Sequence, residues 1–186
     1  MSGYIPTNLI SITDGQVYLS PALFELGILP AVDVGKSVSR VGGAAQRAAY
    51  RAVAGTLKLA YSQFEELESF ARFGTRLDES TRQIIEHGRR IRECLKQAES
   101  QPLSVQEQIL VLLALEGRLF DRVPLDAMLS AEQALRDAID KCPADVLGRF
   151  MTDKLSDADR KAALEMAAKM LTSFQPAADS APAKSP

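Results

Sequence analysis

The sequence predicts a mainly α-helical protein, a helical bundle of about five helices preceded by a short strand-containing segment. Residues 8–19 hold short runs rich in β-branched residues, whereas from Ala44 onwards apolar residues recur every three or four positions. This change of period divides the chain into residues 1–43, a helical region over 44–174 and a tail over 175–186. The tail is rich in Pro, Ala and Ser and poor in bulky apolar residues, so we expect it to be disordered.

The strand-containing segment opens with two runs that flank a turn signal. Asn8 to Thr13 and Gln16 to Leu19 are separated by Asp14-Gly15. Because Asp-Gly between such runs favours a tight turn, we expect the two runs to pair as a hairpin. Ser20 and Pro21 suit the N-cap and first position of a short helix. That helix and a last strand are expected over Ala22–Leu26 and Leu29–Val34.

The longest expected helix starts at Ala44 and carries one apolar stripe. The stripe alternates steps of three and four over a helix of about 28 residues, and the opposite face is charged. A helix of this kind packs within a bundle rather than standing free. The stripe consists of Tyr50, Val53, Leu57, Ala60, Phe64, Leu67 and Ala71.

Later helices have recognisable start signals. Asp78 or Ser80 suits the N-cap of the second helix. Ser104 and Glu107 form a capping-box pattern, which opens a very apolar third helix at the expected centre of the bundle. Pro124 suits the first turn of a fourth helix. That helix is interrupted at Pro143, and a final amphipathic helix is expected over 157–174.

The charge balance argues against a nucleic-acid partner. The net charge is −2, whereas nucleic-acid binding needs a concentrated basic face. Arg89, Arg90 and Arg92 cluster after His87. On a helix these arginines spread around more than half a turn, so we expect a solvated face and a surface histidine.

Cysteine usage and hydropathy further narrow the class of protein. Cys94 and Cys142 lack the spacing of a metal or redox motif, so they are expected to be small buried hydrophobes, and no metal site is expected. No run approaches the ~18 apolar residues of a membrane span. The N-terminus lacks the layout of a signal peptide, so a cytoplasmic location is expected.

The stretch from Ser37 to Gln46 contains the strongest functional signal. Arg40 lies between a strand-like run and a glycine pair that is expected to open a long helix. First-turn N–H groups attract anions and a guanidinium offers a fork of donors, so a phosphate contact is favoured. A solvated arginine that caps the preceding turn is the alternative. Gly35-Lys36-Ser37 resembles the end of a P-loop, but the motif needs glycine where Pro30 stands.

Several stretches together resemble the α subunit of the F-type ATP synthase: Tyr4–Asn8, Ile10–Gln16, Ser37–Gln46 and Pro102–Gln108. Order and spacing agree from residue 4 to about residue 121 and more loosely to about residue 174. The resemblance implies that residues 1–43 are the end of a RecA-like α/β nucleotide-binding domain. It implies that residues 44–174 are the helical domain that follows.

The resemblance assigns roles to residues at a subunit boundary. It implies that Arg40 is an arginine finger, supplied in trans to ATP on the neighbouring β subunit. Ser11 matches a serine close to the phosphate end of the same site, where a hydroxyl can donate to phosphate. A strand serine bonded to the backbone is the alternative. Gly15 matches a nearby position where a side chain would crowd the interface.

A second site implied by the resemblance is that of the non-catalytic nucleotide. Its adenine would lie against Phe24, Leu29, Pro30 and the segment Gln97–Glu99. The family usually has arginine where Leu29 stands and glutamine where Glu99 stands. Losing a planar cation and gaining a carboxylate should weaken purine recognition. The chain alone is expected to bind no cofactor, since ATP or ADP with magnesium needs the full α subunit and the neighbouring β subunit.

The implied function is that of the C-terminal part of a regulatory and structural subunit. Its partners would be the β subunit and the central γ shaft, and Arg76, where the family usually has an acidic residue, lies in a loop expected to face that shaft. This departure is typical of a divergent branch, for which sodium coupling is an alternative to proton coupling. Membrane contact would be indirect, on the inner face of a bacterial plasma membrane.

Two other functions compete with this one. A helical regulatory protein derived from the subunit would bind β without supporting turnover. An independent ATPase is disfavoured because the chain has no P-loop motif, so we do not expect the isolated chain to be an enzyme.

Overall fold

The computed structural model describes residues 4–71, 77–152 and 155–176, with side chains from residue 8 onwards. Helices dominate these residues and a two-stranded sheet lies near the N-terminus, so the mainly α prediction is confirmed. The elements in chain order are α1 (Tyr4–Ile12), β1 (Gly15–Leu19), α2 (Pro21–Glu25), β2 (Val32–Ser39), α3 (Gly42–Ala45), α4 (Ala48–Ala71), α5 (Glu79–Cys94), α6 (Val105–Glu116), α7 (Met128–Asp137), α8 (Ala144–Thr152) and α9 (Asp157–Leu171).

The predicted hairpin around Asp14-Gly15 is wrong. β1 begins at Gly15 and pairs antiparallel with β2, the strand beyond α2. The preceding run, Asn8 to Ile12, belongs to α1 instead. Because β2 is the strand paired with β1, an extended run before β1 would leave backbone groups unpaired. Side chains also favour a helical conformation here. The hydroxyl of Ser11 donates to the backbone oxygen of Asn8, and the hydroxyl of Thr13 donates to the backbone oxygen of Leu9.

The P-loop-like tripeptide Gly35-Lys36-Ser37 lies in an irregularity of the β1–β2 pairing. The register shifts between Gln16 and Tyr18. Gln16 donates to the backbone oxygen of Lys36 at 3.0 Å, and the Tyr18 N–H donates to the Ser37 hydroxyl at 3.0 Å. Side chains thus replace ladder bonds where β2 bulges. The tripeptide therefore has a structural role within the sheet.

The long helix α4 confirms the predicted stripe but begins later than expected. It spans 24 residues, because α3 forms a separate turn and Gln46 is extended, with a ψ of 142°. Val53, Leu57 and Phe64 from the stripe are buried. α5 packs against α4, and Gly88 makes their close approach feasible, because an added Cβ would lie 2.0 Å from Cγ of Phe64.

The core of the bundle is built around α6, as predicted. The capping box at its start is present, with Ser104 accepting from the N–H of Glu107 and Glu107 accepting from the N–H of Ser104. α6 packs against α4, α5, α7, α8 and α9, so nearly all its circumference is covered. Its buried side chains are Ile109, Leu110, Val111, Leu113, Ala114 and Leu115.

The expectation of a surface histidine and a solvated arginine face at α5 is wrong at His87, Arg90 and Arg92, the last with a side chain only 13% exposed. His87 is buried, and its Nδ1 lies 2.6 Å from Oδ1 of Asp121. Arg90 is also buried, and its Nε donates to the backbone oxygen of Val123 at 3.1 Å. Both side chains fix the loop that follows α6 onto α5. Arg89 remains exposed, as predicted.

The end of the bundle contains one helix more than the sequence pattern indicated. Pro124 precedes a short 3₁₀ turn, Leu125–Ala127, that leads into α7. A second 3₁₀ turn follows α7 at Ile139–Lys141, and α8 starts directly after Pro143. The final helix α9 begins with a capping box at Ser156 and Asp159. Arg76 and nearly all of the predicted disordered tail lie outside the described residues.

Candidate functional site

Arg40 lies just beyond the end of β2, on a backbone that is held at two points. Its N–H donates to the backbone oxygen of Asp14 at 2.8 Å, which continues the pairing of Gly15 with Ser39. On its other side, the hydroxyl of Ser39 accepts from the N–H of Gly42 at 2.8 Å. The main chain around Arg40 is therefore fixed from both sides.

The side chain of Arg40 is free to reach outwards. It is 60% exposed, and its Nη1 lies 3.8 Å from Oδ1 of Asp14, a carboxylate that is itself exposed. At this distance between exposed groups the ion pair is weak. The guanidinium is thus available to an anion from a partner. The helix after it is a single short turn, α3, so the expected help from a long helix dipole is largely absent.

The pairing of β1 with β2 explains why glycine stands at position 15. An added Cβ would lie 2.7 Å from the backbone oxygen of Val38 and 3.1 Å from Cα of Ser39. Only glycine allows β1 to start so close to β2. This close approach holds the neighbouring Asp14 beside Arg40.

Ser11 is placed on α1 rather than on a strand. Its hydroxyl donates to the backbone oxygen of Asn8 at 2.8 Å, within the same helix. Backbone bonding was the alternative reading of this serine, and the bond is there, although the element differs. A phosphate contact from Ser11 stays a prediction.

Five of the residues predicted for the adenine side come together around one cleft, the fifth being Ala98 within the segment Gln97–Glu99. The cleft has a volume of about 610 Å³. Leu29 and Pro30 meet Gln97 and Glu99 there, although they are far apart in the sequence, and the Gln97 N–H donates to the backbone oxygen of Leu29 at 2.9 Å. Phe24 is 66% exposed on α2 and is not among the described residues that line the cleft.

The cleft has little to hold a phosphate. Glu99 is its only charged lining residue among those described, and the side-chain amide of Gln97 already donates to the backbone oxygen of Gln101 at 2.8 Å. A lining that mixes apolar and neutral polar residues with one carboxylate suits a neutral ring better than an anion. Adenine binding in this cleft stays a prediction.

Sequence reasoning missed a polar junction between the sheet and the bundle. Lys36 binds Asp33 through an ion pair of 2.7 Å, and the N–H of Lys36 donates to the same carboxylate at 2.9 Å. Burial opposes ionisation of Asp33, but these two contacts outweigh it, so the pKa of Asp33 is lowered from 3.8. The lysine of the P-loop-like tripeptide is thus directed to its own chain.

The bundle side of this junction carries Glu65, Glu68 and Arg92. Arg92 donates twice to the carboxylate of Glu68, at 3.1 and 2.8 Å, and its guanidinium carbon lies 4.4 Å from the ring centre of Phe64. Burial, and then the charge of Asp33, raises the pKa of Glu65. The only sequence signal was the acidic face of the long helix, which does not indicate a partner on another helix.

Within the described residues, no helix is both long enough and apolar enough to cross a membrane. In the same part of the chain, no group of three or more histidine, cysteine or acidic side chains is arranged to hold a metal ion. Both cysteines are free thiols; Cys142 is buried and Cys94 is partly exposed.

Comparison with known proteins gives two family matches. Residues 46–171 match the model of the ATP synthase alpha/beta chain, C terminal domain. Residues 1–39 match the nucleotide-binding domain of the ATP synthase alpha/beta family. The two matches meet close to Arg40, at the point where the strands give way to helices.

Individual relatives agree with these matches. ATP synthase subunit alpha 2 of Albidiferax ferrireducens is 71% identical over 178 residues, covering 95% of this chain and 33% of the relative. ATP synthase subunit alpha 1 of Shewanella frigidimarina is 66% identical over 94% of this chain and 34% of the relative. ATP synthase subunit alpha 2 of Polaromonas naphthalenivorans is 67% identical over 95% of this chain and 34% of the relative.

The chain spans about a third of the length of these relatives. The helical bundle after a short sheet, and the match of the C-terminal domain model to residues 46–171, agree with one another. The chain belongs to the ATP synthase alpha/beta chain family, and the relatives it resembles are alpha subunits.

Proposed function

We propose that this chain acts as the C-terminal part of an ATP synthase α subunit and supplies Arg40 in trans to ATP on a neighbouring β subunit. The observation that carries the proposal is the exposed guanidinium on a fixed backbone. Residues 1–43 complete the nucleotide-binding domain, and residues 44–174 form the helical domain that packs around the central γ shaft. Relatives named as alpha subunits over more than nine-tenths of the chain support this assignment.

The chemistry required of Arg40 is electrostatic. Charge spreads over the equatorial oxygens of the phosphoryl group during transfer, and an arginine supplied in trans stabilises it by a factor of roughly 10³ to 10⁵. The planar guanidinium matches two phosphate oxygens at once, whereas a lysine is a point charge. Ser11 would assist at the phosphate end of the same site.

The chain is proposed to depend on its partners for the nucleotide itself. Lys36, the only lysine in a P-loop-like context, is paired with Asp33 in the sheet. Magnesium-bound ATP or ADP would be held by the rest of the α subunit and by the β subunit. The adenine of a non-catalytic nucleotide would enter the cleft of Leu29, Pro30, Gln97 and Glu99, weakly because of the two departures noted above.

Attachment to the membrane would be indirect. The complex would lie on the inner face of a bacterial plasma membrane and would couple ATP synthesis or hydrolysis to proton or sodium transport. The ion-translocating sector would make the membrane contact, and the chain described here would stay peripheral to it.

The test is Arg40→Lys in the complete α subunit, assembled with its partner subunits. We expect multisite ATP hydrolysis to fall at least about a hundredfold, because the bidentate stabilisation is lost. Arg82→Lys is the matched control, since Arg82 is 63% exposed and also has an acidic neighbour, Glu79. That variant should retain its turnover.

Near wild-type hydrolysis by an assembled Arg40→Lys complex would remove the arginine-finger assignment. If the unsubstituted chain binds β subunit and inhibits turnover instead of supporting it, the regulatory alternative would replace the proposal. Tight binding of magnesium-ATP by the isolated chain, measured by calorimetry, would revive the third alternative.

A further inference from the structure

A second cavity lies between α5, α6 and α7. It is separate from the cleft at Leu29, Pro30 and Glu99, which we call the adenine cleft, although Gln97 lines both. Its volume is about 190 Å³. Leu95, Lys96 and Gln97 are exposed and mark its opening, whereas Val111 and Glu132 are buried and form its inner wall. We call this space the Glu132 cavity.

The carboxylate of Glu132 lacks a hydrogen-bond partner among the described residues. Glu132 is only 4% exposed, and its ion pair with Arg136 spans 3.8 Å, which is too long for a hydrogen bond. Arg136 donates instead to Gln133 at 2.6 Å, and its Nε is buried without a partner. A buried carboxylate in this state is unstable relative to one with a donor.

Among the described residues, the other polar side chains of the lining are engaged elsewhere or only weakly polar. The Nζ of Lys96 donates to the carboxylate of Glu93 at 2.7 and 2.8 Å. Gln108 is a neutral amide in the wall, but its Nε2 donates to the backbone oxygen of Leu103 at 2.8 Å and its Oε1 accepts from Tyr50. Burial raises the pKa of Cys94 well above its ordinary value, so it stays a weakly polar thiol. Leu103, Val111 and Leu112 supply apolar surface.

These features define the chemistry of an occupant. A metal ion would need several oxygen ligands, and the described lining offers one carboxylate. A single water needs two to four polar partners. For size, an apolar cavity of about 150 Å³ in another protein binds benzene, so the Glu132 cavity has room for one ring.

We propose that the Glu132 cavity binds a small organic cation of one-ring size, with an ammonium or amidinium group on Glu132 and its apolar body against Leu103, Val111 and Leu112. The cationic group would supply the missing donors to the carboxylate. The ring would fill the apolar remainder. This site is independent of Arg40 and of the nucleotide cleft.

The probe is benzamidine, and its neutral counterpart is benzamide, which has nearly the same shape. With the full chain of 186 residues, we expect calorimetry at neutral pH to show benzamidine binding at least tenfold more tightly than benzamide. Backbone amide resonances of residues lining the cavity should move, and those lining the adenine cleft should not, Gln97 excepted.

Glu132→Gln keeps the shape of the side chain and removes its charge. We expect benzamidine affinity to fall at least tenfold and the preference over benzamide to disappear. Glu165→Gln makes the same chemical change on α9, where the side chain is 61% exposed, and should leave both affinities unchanged.

Affinity for benzamidine should also rise with pH between about 6 and 8, because burial raises the pKa of Glu132 to about 7 against a partial opposing effect of Arg136. The other ionisable groups facing this carboxylate are Cys94 on α5 and Lys96 just after it. Equal binding of the two probes, absence of benzamidine binding at millimolar concentration, or unchanged binding by Glu132→Gln would each overturn the proposal.

Discussion

At the scale of single residues, burial decides what the ionisable side chains do. Three arginines in one short stretch of α5 have three different environments. Arg89 is exposed, Arg90 is buried against the backbone of Val123, and Arg92 stacks on Phe64 beside Glu68. Helical spacing predicts that the three side chains point in different directions. It does not predict which of them contacts another helix or loop.

Glu132 gives a prediction about stability and pH. Burial raises its pKa in the folded chain from 4.5 to about 7. Below pH 4.5 the group is protonated in both folded and unfolded chains and has no effect. As pH rises to about 7 the folded chain loses up to about 3 kcal/mol of unfolding free energy relative to Glu132→Gln.

The measurement is urea unfolding of both chains at several pH values between 4.5 and 7.5. The difference between them should grow with pH and then level off. Glu165→Gln serves as the control and should track the unsubstituted chain. A constant difference between Glu132→Gln and the unsubstituted chain would contradict the raised pKa.

At the scale of elements, the α4–α5 contact depends on a missing side chain. Gly88 faces Phe64, and an added Cβ would lie 2.0 Å from its ring. The polar stack of Arg92 on the same ring then covers it from the other side.

Gly88→Ala should lower the unfolding free energy by about 1–3 kcal/mol, because the ring or the helix must move. Gly55→Ala is the matched control in α4, since nothing lies within 4 Å of its added Cβ. That change should raise stability by about 0.5–1 kcal/mol. Thermal and urea unfolding measure both. Equal effects of the two substitutions would show that the contact is looser than described.

Elements that depend on local signals were predictable from the sequence. The stripe of α4 and the capping box at Ser104 and Glu107 need only residues within one helix. The β1–β2 pairing was not predictable from local signals, because the strand that pairs with β1 lies beyond α2 in the sequence. α8 was missed because a proline can either end one helix or precede the next. Pro143 directly precedes α8, so here it marks the start of a helix.

The candidate site divides in the same way. Arg40 and the two sides of the cleft were found from motifs that resemble the family. The burial of His87, the contact of Arg92 with Glu68 and the Glu132 cavity depend on how separate helices pack. No pattern within one segment contains that information.

At the scale of the whole molecule, the two regions differ in how much apolar surface they bury. The apolar core lies entirely within residues 49–171. Residues before it leave large apolar side chains exposed, among them Ile12, Val17, Leu19 and Phe24. Among the described residues, the sheet meets the bundle through Val34, which packs against the core, and through polar contacts such as Lys58 to the backbone oxygen of Ser37 at 3.2 Å.

A chain that begins at Ala44 should therefore fold on its own. We expect it to unfold cooperatively with a Tm within about 4 °C of the longer chain, which corresponds to about 1 kcal/mol. The longer chain should self-associate at a lower concentration, because its first segment exposes apolar surface. Circular dichroism and sedimentation velocity measure these properties. A broad, non-cooperative transition would show that the sheet is part of the folding unit.

The fixed backbone of Arg40 has a consequence for timing. Ordering a backbone residue takes about 1–2 kcal/mol, and folding has already done this here. What remains is the rotamer freedom of one long side chain, about 2 kcal/mol. Under the proposed function the backbone of this arginine keeps one position while its side chain can still change rotamer. The neighbouring subunit then determines when the guanidinium contacts the phosphate.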